Sequence, residues 1–365
     1  MSESYQTDEL RRSTRDYAEL RSRLEAWLQD RVPGAQVGPL EVPSGNGMSS
    51  ETVVFDMTTG GQTRGCVARL APRADAVPVF PGYDLGRQFR VMSIVAEHSG
   101  VPVPRPLWHE PDPDPIGTPF LVMERVDGDV PPDVMPYTFG GWLTEADREQ
   151  RARLQAATVA VLAGIHGVEP PAFLEYDRPG ATPLRRHVAE QRAYYEWVAD
   201  GTPHPLIERC FAWLERHWPA EEGSPVISWG DSRIGNILYR DFRPAGVLDW
   251  EMAALGPREL DLGWLIYHHR FFQDLTALAR LPGLPDFLRR DEVAAEYGRL
   301  TGRPPRDLDF FIVYAALRNA IVMTRVARRQ AAFGEREWPE NPDEVLYDRA
   351  SIEALLTGTY WEDKT

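Results

Sequence analysis

Lysine is almost missing from this sequence: Lys364, next to the C-terminus, is the sole one. A Walker A loop needs Gly-Lys before Ser or Thr, and a pyridoxal enzyme needs a Schiff-base lysine in its core. Both classes are therefore excluded. A permanent cation facing a phosphate in the folded core must be arginine. Cysteine is scarce as well. Cys66 and Cys210 lie far apart in apolar contexts, with neither zinc spacing nor a disulfide framework, which fits a reducing, cytoplasmic setting. The N-terminus is charged and lacks the apolar core of a signal peptide. Long apolar runs are missing too. The most apolar helical pattern, residues 310–326, is interrupted by Arg318 and Asn319 and is too short to cross a bilayer. Positive charge is in deficit, with 40 Lys and Arg against 55 Asp and Glu, a net charge of −15. That balance argues against nucleic acid or an anionic membrane as the main partner.

What remains is an ordinary globular composition, 43% hydrophobic and 26% charged, over 365 residues, enough for two lobes. The informative stretch is 226–251, VISWGDSRIGNILYRDFRPAGVLDWE. Val226-Ile227-Ser228, Ile237-Leu238-Tyr239 and Gly246-Val247-Leu248 are short β-favouring runs, and residues 240–244 carry turn residues. The polar residues gather where the strands stop. Asp231 and Asn236 end one loop, and Asp249 closes the following hairpin. Two carboxylates and an amide oxygen form a hard, oxygen-only set suited to Mg²⁺ and a phosphate. Asp231 and Asn236 also fit the D-x-x-x-x-N spacing of a kinase catalytic loop. Asp249-Trp250 stands where D-F-G would stand.

With Trp229-Gly230-Asp231, Asn236, Asp249-Trp250-Glu251, Gly256-Pro257 and Asp261-Leu262-Gly263-Trp264 in order, the chain resembles the aminoglycoside phosphotransferase (choline kinase-like) family. The match is nearest the subgroup found beside acyl-CoA dehydrogenases. The resemblance covers roughly 37–330 and implies a protein-kinase-like α+β fold with a small β-rich lobe and a larger helical lobe. One departure is Trp229 in place of the usual His. An indole fills that space and donates one hydrogen bond but accepts none.

In chain order, 1–36 is expected to be an N-terminal helical extension, with an amphipathic helix over 16–30. Residues 37–126 form the nucleotide-binding lobe, and 127–365 the catalytic and substrate-binding lobe. In the resemblance, the turn Ser44-Gly45-Asn46-Gly47-Met48-Ser49 covers the ATP phosphates with backbone N–H groups. Arg69 takes the place of the kinase strand lysine. Gln88 stands where the family carries a partner Glu on the helix 85–98. Backbone groups near Glu124 and Val126 would pair with adenine. The pattern turns helical from Asp129, beginning with an irregular segment at 131–141. The helix 145–166 ends in His166, read as a capping residue. Asp261 matches the family residue that braces the catalytic loop, with a helix N-cap as the plainer reading.

The implied activity is ATP- and Mg²⁺-dependent phosphoryl transfer to a small-molecule hydroxyl. Asp231 would act as catalyst, and Asn236 and Asp249 as metal ligands. No A-P-E activation segment follows Asp249, which disfavours a protein acceptor. Tyr267, His268, Arg270, Arg318 and Asn319 are candidates to line the acceptor pocket, and the arginines would suit a carboxylated acceptor. The alternative is a nucleotide-binding pseudokinase, which Trp229 and Gln88 favour.

Overall fold

A computed structural model describes residues 15–43, 50–72 and 77–362, so the turn Ser44–Ser49 expected over the phosphates lies outside the described residues. The chain divides into two compact units. The smaller comprises residues 1–86 and 106–125, and the larger 87–105 and 126–365.

The smaller unit is an antiparallel sheet with a helix on one face. Helix α1 (Tyr17–Gln29) is capped by Asp16, whose carboxylate accepts from Ala18 N and Glu19 N. The strands β1 (Gln36–Val37), β2 (Glu51–Thr59), β3 (Gln62–Leu70), β4 (Pro106–Glu110) and β5 (Phe120–Glu124) lie in the order β1-β2-β3-β5-β4. The β2–β3 hairpin turns at Gly60-Gly61, both at positive φ, as a two-residue primed turn requires. Leu20, Leu24, Trp27 and Leu28 from α1 share one core with Val53, Phe55, Cys66, Ala68 and Phe120. The first helix is thus part of the small unit's core.

The larger unit is helical. It takes in residue 87 onward of α2 (Leu85–His98), a segment the sequence reading kept within one uninterrupted lobe over 37–126. The helix expected over 145–166 is α4 (Arg148–His166), preceded by the one-turn α3 (Trp142–Glu145). Asp147 sets its start with a capping box, its carboxylate taking Gln150 N while Gln150 Oε1 takes Asp147 N. Next come α5 (Pro183–Ala199) and α6 (Pro205–Arg216). The ribbon and hairpin of the site follow: β6 (Val226–Ser228), β7 (Ile237–Arg240), β8 (Arg243–Val247) and β9 (Ala254–Gly256). Then come α7 (Glu259–Leu278), α8 (Arg290–Thr301), α9 (Leu308–Ala332) and α10 (Arg349–Thr357).

Helix α9, over the bounds expected, contains the most apolar stretch of the sequence, 310–326. By length and composition it could cross a membrane, but 83% of its apolar window is buried inside the protein. It is the core helix on which α7 packs. The two run so close that a Cβ on Gly263 would sit 2.7 Å from Phe311 O.

Candidate active site

The site is built on two short antiparallel pairs. β6 pairs with β9, and β7 with β8. The hairpin turns at Asp241-Phe242, both at positive φ, so Arg243 and Pro244 belong to a strand and not to the turn the sequence suggested. Between β6 and β7 the chain makes the loop 229–236.

That loop is held from beneath by Asp261, in the first turn of α7 and 0% exposed. Its Oδ1 accepts from Ser228 Oγ and Gly230 N, each at 2.9 Å. Its Oδ2 accepts from Trp229 N at 2.8 Å and lies 2.9 Å from His166 Nε2. Ser232 Oγ donates to the Asp261 carbonyl at 2.8 Å. Burial alone would raise the Asp261 pKa. The His166 bond and charge, with the two backbone N–H donors, outweigh it and hold the carboxyl below its ordinary value. His166 is therefore not a helix cap: its Nδ1 meets Tyr297 OH at 2.8 Å and its Nε2 meets Asp261. Arg318, 1% exposed on α9, donates from Nη2 to Gly230 O at 2.9 Å and lies 4.2 Å over the Trp264 ring. Gly230 itself has φ +92, and a Cβ there would strike Met252 O at 2.1 Å. No other residue fits this turn.

Above this brace the loop presents Asp231. Trp264 Nε1 donates to its Oδ1 at 2.7 Å, and Asn236 Nδ2 donates to its Oδ2 at 2.6 Å. Arg233 Nε lies 3.1 and 3.2 Å from the two oxygens. Burial would raise this carboxyl's pKa, but the Arg233 charge, His268, and the Trp264 and Asn236 bonds together lower it. It is an ionised acceptor fixed in one orientation. His268 is pushed down to about 4, first by burial.

Asn236 and Asp249 stand on facing ends of the hairpin, tied by Leu248 N to Asn236 O at 2.9 Å. Asp249 has φ 60, a left-handed conformation that Asp tolerates better than most residues. The Asn236 amide nitrogen is committed to Asp231, which leaves its oxygen as an acceptor. An amide oxygen and a carboxylate at one strand end fit Mg²⁺, which takes a few protein oxygens and fills its shell with phosphate and water. Among the described residues no cluster of three His, Cys, Asp or Glu could hold a metal alone. Trp229 sits where the family has His, 0% exposed, and its indole donates to Leu248 O at 2.9 Å. The indole thus links the loop 229–236 to the strand end that leads into Asp249.

The remaining predicted residues fall in both units. Arg69, on β3 and 9% exposed, donates from Nη2 to Ser50 Oγ at 2.6 Å. Glu124 ends β5, 3.8 Å from Arg64 Nε. Val126 opens the larger unit and lies against Gly246. Gln88, 3% exposed on α2, has a buried Oε1 without a hydrogen-bond partner among the described residues.

Four of the candidate pocket residues are committed elsewhere. Tyr267 donates to Asp348, Asn319 donates to Tyr267, Arg270 pairs with Asp274, and Arg318 holds Gly230. His268 faces a crevice beside the loop with Tyr137, Ile234, Leu265, Phe272, Arg233 and Asp133, too narrow to admit a water molecule. Local sequence did not single out Arg233, although it lies within the loop motif.

Residues 43–299 match the family model of the phosphotransferase enzyme family. The chain is 28% identical over 331 residues to the Arabidopsis thaliana protein named "Probable acyl-CoA dehydrogenase IBR3", covering 84% of this chain and 39% of that one. It is 31% identical over 211 residues to human acyl-CoA dehydrogenase family member 11, covering 57% of this chain and 25% of the relative. The chain thus spans less than two fifths of the length of these relatives. Among solved structures, a candidate aminoglycoside phosphotransferase from Ralstonia eutropha superposes with a TM-score of 0.64 at 24% identity, covering 94% of this chain and 99% of that one. Macrolide 2'-phosphotransferase MphH from Brachybacterium faecium gives 0.53 at 20% identity, covering 91% and 97%. A ternary complex of aminoglycoside phosphotransferase APH(4)-Ia with ADP and hygromycin B gives 0.54 at 15%, covering 92% and 98%. These likenesses establish the two-lobed kinase-like fold.

Proposed function

The chain belongs to the phosphotransferase enzyme family, and from that premise we propose that it moves the γ-phosphate of ATP, with Mg²⁺, to a hydroxyl group of a small molecule. The observation that carries the reading is Asp231: an ionised carboxylate, 13% exposed, fixed by Trp264 and Asn236 on a loop braced from below by Asp261. Such a group takes the proton of an attacking hydroxyl and aligns its oxygen. The hydroxyl gives its proton to Asp231, an O–P bond forms to the γ-phosphorus, and the bond to the bridging oxygen breaks, so that ADP leaves. Asn236 and Asp249 would hold the metal, which when bound offsets phosphate charge. Arg69 would neutralise the nucleotide's inner phosphates from the smaller unit.

Asp231→Asn and Asp249→Asn separate these roles. Asp231→Asn is expected to keep near-parental Mg·ATP affinity and lose about 10²–10⁴-fold in rate, the usual worth of a positioned general base. Asp249→Asn is expected to damage both affinity and rate. Calorimetric titration of Mg·ATP, with a rate measurement over a panel of hydroxyl compounds and water, tests this. Parental rate in Asp231→Asn refutes the assignment. A parent that binds Mg·ATP and transfers to nothing supports the pseudokinase instead.

A further inference from the structure

We propose that Arg233 is a catalytic residue, the cation that meets the phosphoryl group in flight, and that Asp133 positions it. The inference rests on the phosphotransferase reading above and adds a residue to it.

Three observations carry it. The first is place. Arg233 lies inside the catalytic loop, two residues after Asp231 and three before Asn236, with Nε at 3.1 and 3.2 Å from the Asp231 carboxylate. A hydroxyl that hands its proton to Asp231 sits within about 3 Å of that carboxylate, and the phosphorus it attacks lies about 3–3.5 Å further. The guanidinium is therefore within a side-chain rotation of the phosphoryl oxygens, where charge develops during transfer. The second is availability. Arg318 is close by but wholly buried and spent on Gly230 O, whereas the Arg233 side chain is 22% exposed.

The third is the holder. Arg233 Nη1 is bonded to Asp133 Oδ2, in the irregular segment 131–141. That segment is pinned to α7 nearby: Tyr137 OH meets His269 Nδ1 at 2.9 Å, and Thr138 Oγ1 donates to Phe272 O at 3.2 Å. Asp133 also lies over Gly235, where a Cβ would stand 2.6 Å from its Oδ1. One guanidinium thus bridges two carboxylates. Its Nε covers Asp231, the oxygen pair a hydroxyl must reach. When acceptor and nucleotide arrive, Nε can leave Asp231 for the phosphoryl group while Nη1 stays on Asp133. The same movement uncovers the base and supplies the cation. Arg233 forms and breaks no covalent bond. It contributes charge and two-pronged hydrogen bonding to phosphoryl oxygens.

The test uses the full chain with Arg233→Ala, Arg233→Lys and Asp133→Asn. Mg·ATP affinity is read by calorimetry, and phosphoryl transfer by slow ATP hydrolysis with water as the acceptor. Arg233→Ala is expected to lose about 10²–10³-fold in rate, as removal of one transition-state donor does. Its Mg·ATP affinity should stay within about 3-fold of the parent, since the interaction forms only in the transition state. Excess guanidinium chloride, below its denaturing range, should restore part of the lost rate. Arg233→Lys should fall between the two. Asp133→Asn should lose about 10–10²-fold, as a misplaced group does, and should gain nothing from added guanidinium. Parental rate in Arg233→Ala, or a loss that guanidinium leaves untouched and that Mg·ATP affinity fully accounts for, overturns the proposal. So does failure of both Arg233 variants to fold, which would make the residue structural. A parent that binds Mg·ATP but transfers to no acceptor, water included, overturns the phosphotransferase reading and this inference with it.

Discussion

Removing the Asp261 carboxylate takes away the acceptor that holds the loop 229–236 from beneath. Four donors converge on its two oxygens: Ser228 Oγ, Trp229 N, Gly230 N and His166 Nε2, all between 2.8 and 2.9 Å. In Asp261→Ala the two backbone N–H groups lose their acceptor in a site closed to water. Each buried orphan costs about 1–3 kcal/mol, and the stranded hydroxyl and imidazole add to that, for roughly 4–8 kcal/mol in all. A domain's whole stability is about 5–15 kcal/mol, so Asp261→Ala is expected not to accumulate as folded protein. Asp261→Asn keeps the shape and one acceptor oxygen but turns an NH₂ toward the other donors. Its cost is about 2–4 kcal/mol, mainly lost charge-assisted bonding. With a urea slope of about 1–3 kcal/mol per molar, the midpoint should fall by about 1–2 M, measured by far-ultraviolet circular dichroism. Surviving folded Asp261→Asn should lose far more turnover than Mg·ATP affinity, because the brace sets Asp231 and not the nucleotide. An unfolding midpoint within about 0.3 M of the parent would refute the reasoning. It would mean that the loop keeps its turn without the carboxylate.

Arg69→Ala is expected to weaken Mg·ATP binding about 10–10²-fold, the worth of a charged hydrogen bond; unchanged affinity by calorimetry would give the phosphate role to another arginine. Gln88→Glu should be tolerated, since it places on α2 the carboxylate that the resembling family carries at this position. A loss above about 3 kcal/mol in urea unfolding would show an unpaired buried charge and defeat that expectation. Asp348 yields a pH prediction. Burial first of all raises its carboxyl from 3.8 to about 6, against hydrogen bonds from Tyr267 and Asn319 that lower it. The folded state therefore favours the protonated acid. The stabilisation is full below pH about 4 and lost as pH rises through about 6, a span worth about 3 kcal/mol. Asp348→Asn should flatten this part of the stability–pH curve and leave the protein more stable at pH 7; an unchanged curve would place the titration elsewhere.

Local pattern was enough for the parts of the site written in consecutive residues. The runs at 226–228 and 237–239 and the loop ends Asp231 and Asn236 follow from short apolar runs and fixed spacing, while the α7 aspartate beneath them followed from the family resemblance alone. The capping box at Asp147 was also legible, as Asp followed by Gln three residues on, and it sets the start of α4 at Arg148. What sequence could not display are partners joined only by the fold. His166 reaches Asp261 across 95 residues, Arg318 reaches Gly230 across 88, and Arg233 reaches Asp133 across 100. Strand β9 is Ala-Leu-Gly, three residues with no β signature of their own, made a strand by pairing with β6. Tyr267, Arg270 and Asn319 read as pocket residues because they are polar on apolar helices. Each instead meets a partner, Asp348, Asp274 or Tyr267, that helix periodicity does not show.

The three indoles around the loop have an optical consequence. Trp264 Nε1 is bonded to the Asp231 carboxylate at 2.7 Å, Trp229 Nε1 to Leu248 O at 2.9 Å, and Trp250 Nε1 to Val247 O at 3.0 Å. Each chromophore is anchored to a different point of the loop and hairpin that carry Asp231 and Asp249. The emission of Trp264 depends on the charge it touches, while that of Trp229 and Trp250 depends on the strand end behind Asp249. Protonation, amidation or displacement of Asp231 should therefore register in Trp264, and occupation of the hairpin end in the other pair. Replacing the indoles one at a time by phenylalanine would assign each signal. The molecule would then report, without any label, which half of its centre a ligand has reached.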